Sequence, residues 1–349
     1  MSHANQSTRT IGKPGRAAGH VATLWPGLAL ATAIALAAFG LRYVPGLTIF
    51  SPLILAIIVA VVFNNVVGTP ERARPGIAWA MRPVLRAGIV LLGLQLTVQQ
   101  ILSVGVTGLA IVAAGLLGTF LFTIWAGRLL KVDAGLTELI AAGTSICGAS
   151  AVIATNTVTR AHDEDVAYAV ACVTAFGSLA MFLYPVLQGP LDLDAPTYGL
   201  WAGASIHEVA QVVAASFQGG QAAGDVGTIS KLARVVLLGP MVIALGLIAV
   251  RRGRADGASA HQPSAPIPWF VFGFLGLIVL NSVVTIPESV KTAGATVTPF
   301  LLSVGLAGMG LSMHIGKLRA KGLRPLLLGT LSWLFIAGTT LLLITLLGA

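Results

Sequence analysis

Long apolar segments recur along the whole of this chain, and they leave few folds open to it. A helix of about 20 residues, rising 1.5 Å per residue, crosses the roughly 30 Å hydrocarbon core of a membrane. The 349 residues are 56% hydrophobic and only 9% charged, whereas about 25% of the residues of a soluble protein are charged. A water-soluble globule is therefore excluded, and we predict an all-α polytopic membrane protein.

The hydropathy pattern divides the chain into about eleven such segments. They lie near residues 23–40, 50–67, 84–98, 104–127, 136–158, 166–188, 197–217, 229–250, 267–284, 296–314 and 325–347. Residues 1–22 form a polar tail, which we expect to be cytoplasmic, and residues 23–349 form one membrane domain with a polar cytoplasmic loop at 251–266.

Basic residues mark the cytoplasmic side, because Lys and Arg are enriched in the cytoplasmic loops of membrane proteins. They cluster in the tail and in short loops near 72–82, 128–131, 251–254 and 317–324. The N-terminus is therefore expected inside and the C-terminus outside. Since the net charge of +9 is spread over these loops, it does not indicate nucleic-acid binding.

Two apolar segments carry nearly the same polar interruption. Residues 142–154 read AGTSICGASAVIA, and residues 202–214 read AGASIHEVAQVVA. Small polar residues inside a membrane segment mark a place where the helix breaks and lines a protected site. We predict broken elements near 136–158 and 197–217, and a matched pair of this kind indicates a transporter.

A second repeat relates the two ends of the chain. Residues 63–71, FNNVVGTPE, match residues 280–288, LNSVVTIPE, at an offset of 217. An odd number of segments separates the copies, which is the arrangement of inverted-topology repeats. Asn64 and Asn281 are equivalent in this register, and hydrogen bonding between helices is the favoured interpretation of both.

The broken elements either cross the membrane or enter and return as hairpins. If both re-enter, the loop near 160–165 is cytoplasmic, the loop 189–196 without Lys or Arg is external, and the hairpins enter from opposite faces. This version has nine crossings and two re-entrant elements, and it obeys the charge rule better than eleven crossings. The range of about nine to eleven segments keeps both versions open.

The first broken element offers small polar groups and backbone N–H groups. Its candidate substrate-binding residues are Thr144, Ser145, Cys147, Gly148 and Ser150. Unwinding at the glycines would aim the N-terminus of the following half-helix, its positive dipole end, at an anion. Close helix packing is the competing interpretation of such residues.

The second broken element adds groups that can titrate. Its candidates for substrate binding are Ser205, His207 and Gln211, and His207 or Glu208 could carry a coupling proton. A buried pair that only shapes the break is the alternative. Lys231 and Arg234 follow on one helical face, either contacting an anionic substrate or reaching the interface as long basic side chains do.

Several chemistries are not expected. Cys147 and Cys172 lie in separate apolar segments without CxxC spacing, so that neither a metal site nor a disulfide framework is indicated. The sequence has no HExxH, GxSxG or P-loop motif. We expect no cofactor, no bound metal and no enzymatic activity.

The segments 145–151 (SICGASA), 206–213 (IHEVAQVV) and 231–234 (KLAR) together resemble the YeiH-type family of bacterial membrane proteins, described as sulfate exporters. The resemblance covers the chain from about residue 23. It implies a secondary transporter of the bacterial inner membrane, similar to the inverted-repeat folds of bile-acid transporters and cation/proton antiporters.

The function expected is transport of a small anion, sulfate or an organosulfonate, by elevator-like alternating access. The broken elements would move against a scaffold containing the second, third, ninth and tenth segments. Alternatives are a cation/proton antiporter using Glu208 and His207, or a membrane sensor or channel. The partners expected are the anion, membrane lipid, a coupling proton or sodium ion, no nucleic acid and, as an open alternative, a second copy in a homodimer.

Overall fold

The computed structural model describes residues 16–44, 47, 50–251, 269–313 and 322–348. The basic tail residues Arg9 and Lys13, most of the predicted loop 251–266 and the cluster at Lys317 lie outside these ranges. Helix α1, Arg16–Leu41, begins inside the predicted tail. The secondary structure of the described residues is helical, which confirms the all-α fold class.

The helices before the first break are α1 and four that follow it. They are α2 (Pro52–Val66), α3 (Arg74–Trp79), α4 (Leu85–Leu92) and α5 (Val98–Leu129). A π-helical turn, Ala80–Val84, joins α3 to α4 and contains Pro83, whose ring cannot donate to the preceding turn. Residues Glu71–Gln95 therefore act as one membrane-length unit.

The remaining helices contain both broken elements. They are α6 (Ala134–Ser145), α7 (Ala149–Thr159), α8 (Asp163–Gln188), α9 (Ala195–Ser205), α10 (Val209–Ser216), α11 (Gln221–Val236), α12 (Leu238–Arg251), α13 (Trp269–Val283), α14 (Glu288–Leu311) and α15 (Leu323–Leu347).

Nine elements within the described residues have the character of membrane crossings. Seven are long and apolar enough by length and composition, and α2 and α13 are shorter apolar helices. Several begin earlier than hydropathy predicts: the third predicted segment starts at Glu71 rather than 84, and the tenth at Glu288 rather than 296. Their polar first turns lower the local hydropathy, although an acidic side chain there stabilises a helix N-terminus.

Both broken elements are re-entrant hairpins. In the first hairpin, α6 and α7, the Thr159 hydroxyl donates to Glu138 Oε2 at 3.0 Å, which brings the two ends of the element together. In the second hairpin, α9 and α10, the Tyr198 hydroxyl donates to the Ala215 carbonyl at 2.9 Å. A helix that continued across the membrane would separate these residues by about 25 Å or more.

The two hairpins enter from opposite ends of α8. The first hairpin ends at Thr159, just before α8 begins, and the second begins at Ala195, just after α8 ends. The 26 residues of α8 span about 39 Å, the length of a full crossing. The tips, residues 146–148 and 206–208, meet between these ends, so that the structure favours the nine-crossing version.

The inverted repeat at offset 217 is visible in matched contacts. Helix α2 corresponds to α13, because the first and last residues of α13 each lie 217 positions after those of α2. A Cβ added to Gly93 would lie 2.5 Å from the Phe274 carbonyl oxygen, and one added to Gly310 would lie 2.8 Å from that of Ile57. The two glycines are equivalent, and so are the two carbonyls. Each glycine therefore permits the same close crossing in its own repeat.

The repeated asparagines form an equally matched pair. Asn64 Nδ2 donates to the Met313 carbonyl at 2.9 Å, and Asn281 Nδ2 donates to the Leu96 carbonyl at 2.8 Å. Leu96 and Met313 are themselves 217 positions apart. Each asparagine therefore satisfies a carbonyl near a helix end of the other repeat, which confirms the interhelical interpretation.

The described helices pack as two bundles. The scaffold bundle contains α1–α4, α13 and α14, and the core bundle contains α5–α12 and α15. Their main direct contacts are α10 with α2 and α14, and α5 with α13. The scaffold bundle includes all four segments assigned to the scaffold from the sequence, and the core bundle contains both hairpins.

Candidate functional site

The tips of the two hairpins touch through a carboxylate. Glu208 Oε1 accepts a hydrogen bond from the Ala149 amide at 2.7 Å, which is the first N–H of α7. Gly148 has φ of 68° and ψ of −133°, a conformation that residues with a Cβ avoid, and a Cβ there would overlap Glu208 Oε1. The glycine therefore permits this contact.

Lys231 joins the two tips from α11. Its Nζ donates to the Ile146 carbonyl at 2.7 Å and to the Ile206 carbonyl at 2.8 Å, and the side chain is fully buried. These carbonyls follow the last residues of α6 and α9, where carbonyl groups lack intrahelical partners. The ammonium also lies at the negative dipole end of both half-helices, where a cation is stabilised.

Arg234, one turn along α11, completes this arrangement. Its guanidinium donates to the Thr144 carbonyl at 2.8 Å and to the Ser145 carbonyl at 2.7 Å from the first hairpin. From the second hairpin it reaches the carbonyls of Gly203 at 3.3 Å and Ile206 at 3.0 Å. Both cations are fully buried at the tips. Of the two interpretations left open by the sequence, reaching the interface as long basic side chains does not fit these buried groups.

Tight packing brings α11 close enough to reach the tips. A Cβ on Gly203 would lie 2.4 Å from the Gly227 carbonyl oxygen of α11, and one on Gly199 would lie 2.3 Å from that of Ala223. Small residues four apart allow two membrane helices to approach at backbone distance. The small residues of α9 thus have a packing role, like the one that the sequence left as an alternative for the first broken element.

Gln211 anchors the second tip to α8. Its Oε1 accepts from the Glu208 amide at 3.1 Å, and its Nε2 donates to the Thr174 carbonyl and the Ser178 hydroxyl, both at 3.1 Å. Gly177 lacks a side chain where one would overlap the Gln211 amide. Sequence reasoning missed this glycine and its helix, because nothing in the linear pattern links residue 177 to residue 211.

The two hydroxyls predicted to hold substrate point back along their own helices. The Ser145 hydroxyl donates to the Ala141 carbonyl and the Ser205 hydroxyl to the Trp201 carbonyl, each four residues earlier. Both serines are fully buried. The basic side chains instead contact the Ser145 carbonyl and, next to Ser205, the Ile206 carbonyl.

The remaining candidates differ in exposure. Thr144 and Cys147 are buried, whereas Ser150, in the first turn of α7, is exposed. His207 is fully buried, and neither ring nitrogen has a hydrogen-bond partner among the described residues. The structure thus brings all ten predicted binding residues and Glu208 to the region where the tips meet, and Ser150 is the exposed member of this set.

The charges at the tips do not cancel. Lys231 and Arg234 supply two positive charges and Glu208 one negative charge. The sole salt bridge within 4.0 Å across the described ranges joins Arg74 and Glu71, far from this site. The negative ends of α6 and α9 offset the positive ends of α7 and α10, each about half a unit charge. With these groups ionised, the tips carry about one unbalanced positive charge.

Comparison with known proteins gives one consistent match. A family described as conserved hypothetical protein 698 matches residues 26–329. UPF0324 membrane protein PA5383 of Pseudomonas aeruginosa is 40% identical over 340 residues, which cover 93% of this chain and 95% of that protein. UPF0324 inner membrane protein YeiH of Escherichia coli is 37% identical over 330 residues, 90% of this chain and 93% of its own. The chain therefore belongs to the UPF0324, or YeiH-type, family of membrane proteins.

Proposed function

We propose that this protein is a secondary transporter of a small anion, and that the anion binds where the two hairpin tips meet. The observation that carries the proposal is that two basic side chains, Lys231 and Arg234, are buried at the tips beside a single carboxylate, Glu208. An uncompensated charge within a membrane protein is costly, so that such residues commonly mark an ion or substrate path. An anion at the tips would neutralise the excess.

The geometry gives the cations an indirect role. The N–H groups of Arg234 and two of the three on Lys231 donate to backbone carbonyls, so that the cations hold the tips together and act on a ligand mainly through their positive potential. The groups that a ligand could reach lie at the start of α7, where Ser150 is exposed and the half-buried Ala149 has its N–H bonded to Glu208. A helix N-terminus presents N–H groups and positive potential to oxyanions such as sulfate or an organosulfonate.

The two-bundle architecture supports an elevator-like mechanism. Both hairpins, α8 and α11 belong to the core bundle, whereas the inverted-repeat contacts of the asparagines and glycines stabilise the scaffold bundle. The second tip approaches the scaffold near Met309 of α14, whose sulfur lies 3.9 Å from Gln211 Nε2. Movement of the core bundle past α14 would carry the tips from one face of the membrane to the other. We place this transporter in a bacterial inner membrane with a cytoplasmic N-terminus.

Ser150→Asp tests the anion assignment without removing a buried contact. An acidic residue in the first turn stabilises a helix, so that this variant should fold. At a separation of about 6 Å and an effective dielectric constant of about 20, the added charge would weaken a monoanion by about 2 to 3 kcal/mol, or roughly 30- to 150-fold. Ser150→Asn is the matched neutral control.

The assay is exchange of radiolabelled sulfate or methanesulfonate in proteoliposomes preloaded with the same anion. We expect saturable exchange with the wild-type protein, near-normal exchange with Ser150→Asn and little exchange with Ser150→Asp. If Ser150→Asp exchanges the anion as well as Ser150→Asn does, the anion does not bind at this helix terminus. Sodium or proton exchange that Ser150→Asp enhances, without anion exchange, would instead support the cation/proton antiporter.

A further inference from the structure

The carboxylate of Glu208 already occupies the place that the proposed function assigns to substrate. It accepts the first N–H of α7 at 2.7 Å, and Gly148 leaves the space for it. The side chain is tethered to the second hairpin, so that it reaches the first hairpin across the site. The α7 N-terminus therefore holds an anion that belongs to the protein.

The repeat register shows that this anion is specific to one hairpin. At an offset of 60, Ser145 corresponds to Ser205, Ile146 to Ile206 and Gly148 to Glu208. The first two positions have the same roles in both hairpins, because their hydroxyl and carbonyl contacts are repeated. At the third, one hairpin has no side chain and the other has a carboxylate that fills the vacant space.

A second observation at the same tip indicates an additional ligand. His207, beside Glu208, is fully buried, and both ring nitrogens lack partners among the described residues. A buried imidazole normally satisfies at least one nitrogen. It can bond to the Glu208 carboxyl group after that group leaves α7, or to an oxyanion that replaces it.

We propose that Glu208 is a tethered competitor of the substrate, so that a proton binds to its carboxylate when a small oxyanion binds at the α7 N-terminus. This inference rests on the proposed function. The proton comes from water and binds a carboxylate oxygen. The neutral acid is a weaker acceptor and releases the Ala149 N–H, which then donates to the oxyanion. Proton and anion are bound together and move together.

The charges of the site set the preferred substrate. With Glu208 ionised the tips carry about one positive charge, and with Glu208 protonated they carry two. A dianion such as sulfate matches the protonated site, and its second charge would repel an ionised Glu208. The substrate class is therefore a small dianionic oxyanion that enters with a proton.

The groups facing Glu208 support its assignment as the proton acceptor. Lys231 on α11 and Cys147 on the first hairpin interact with Glu208, while His207 precedes it in the second tip and Arg234 follows Lys231 by one turn. Of the other helices packed at the second tip, α8 presents Thr174 and Ser178 there and α14 presents Met309, none of which titrates. Glu208 is the carboxylate of this cluster.

The test measures sulfate binding to the purified full-length protein by calorimetry between pH 6 and pH 8. We expect wild-type affinity to increase as pH falls, by up to about tenfold per pH unit. Glu208→Gln should bind sulfate more tightly than the wild type at pH 8 and lose most of this dependence. The control is Glu138→Gln, which removes a carboxylate at the base of the first hairpin and should keep the wild-type dependence.

A second measurement uses only the wild-type protein. In weakly buffered solution above pH 7, each sulfate bound should take up close to one proton from the medium. Binding without proton uptake, or a Glu208→Gln variant with the wild-type pH dependence, would overturn the inference and leave the anion site standing. If neither sulfate nor an organosulfonate binds to any of these proteins, the proposed function is refuted and this inference with it.

Discussion

Replacing Lys231 with methionine tests whether the cations hold the two tips together. Methionine has nearly the same length and is apolar, so that the change removes the ammonium while keeping most of the packing. The Ile146 carbonyl then loses the Lys231 donor, whereas the Ile206 carbonyl keeps Arg234 at 3.0 Å. The first tip should therefore be weakened more than the second.

The expected magnitude follows from these bonds. A buried carbonyl left without a donor costs about 1 to 3 kcal/mol, and the loss of one of two donors at Ile206 adds less. We expect the free energy that keeps the first tip closed to fall by about 2 to 3 kcal/mol. The open population would then increase roughly 30- to 150-fold.

Cys147 makes the opening measurable. It lies in the first tip, next to Ile146, and is 4% exposed, while Cys172 on α8 is fully buried. In a Cys172→Ser background, Lys231→Met should accelerate maleimide labelling of Cys147 by the factor above, because labelling follows local opening. In a Cys147→Ser background, labelling of Cys172 should change far less. Lys291→Met, on α14 away from the tips, is the control.

This prediction is refuted if Cys147 in the Lys231→Met variant is labelled at a rate within about threefold of that in the Cys172→Ser protein that keeps Lys231. Equal acceleration at Cys147 and Cys172 would also contradict it, since that pattern indicates general destabilisation of the core bundle. Faster labelling of Cys147 alone would indicate that Lys231 acts locally, through its hydrogen bond to the Ile146 carbonyl at the end of α6.

Two further predictions concern the fold. Gly93→Ala and Gly310→Ala should each destabilise the scaffold by about 1 to 3 kcal/mol, because the added methyl group overpacks against the equivalent helix. Gly276→Ala, inside α13 with open space around it, should leave stability unchanged or raise it by up to about 1 kcal/mol. Thermal unfolding followed by fluorescence measures all three, and unequal effects of the first two would argue against a shared repeat geometry. Asp163→Cys and Asp192→Cys, at opposite ends of α8, should be labelled by an impermeant reagent from opposite sides of the membrane, and labelling of both from one side would contradict the hairpin topology.

Much of the architecture could be predicted because the internal repeat of the fold is also visible as a repeat in the sequence. The motif containing Asn64 and its copy containing Asn281 align without gaps, so that one offset identifies the matched helices. The distribution of charges also favoured hairpins, since a crossing at 136–158 would have placed the loop near 160 on the wrong side. Both signals can be found in the linear sequence without knowing which residues touch in the fold.

The roles of the site residues could not be derived in the same way. Lys231 and Arg234 follow the second hairpin in sequence, yet they bind carbonyls of both hairpins, and Ile146 is 85 residues away from Lys231. Backbone carbonyls carry no sequence signal, because every residue has one. Ser145 was therefore selected for its hydroxyl, whereas its carbonyl makes the contact with Arg234. The starts of the helices at Glu71 and Glu288 were missed for a related reason: a polar first turn lowers hydropathy without ending a helix.

The difference between the hairpins is as informative as their similarity. Had residue 208 been glycine like residue 148, both tips would present open helix N-termini, and two buried cations would face no carboxylate. Such a site would hold an anion tightly at every pH, and release would have no trigger. A carboxylate at one tip alone lowers the excess charge to about one and supplies a group that competes for the same N–H. In the proposed mechanism the pseudo-symmetry therefore provides the anion site, and its single acidic exception, Glu208, would couple anion release to loss of a proton.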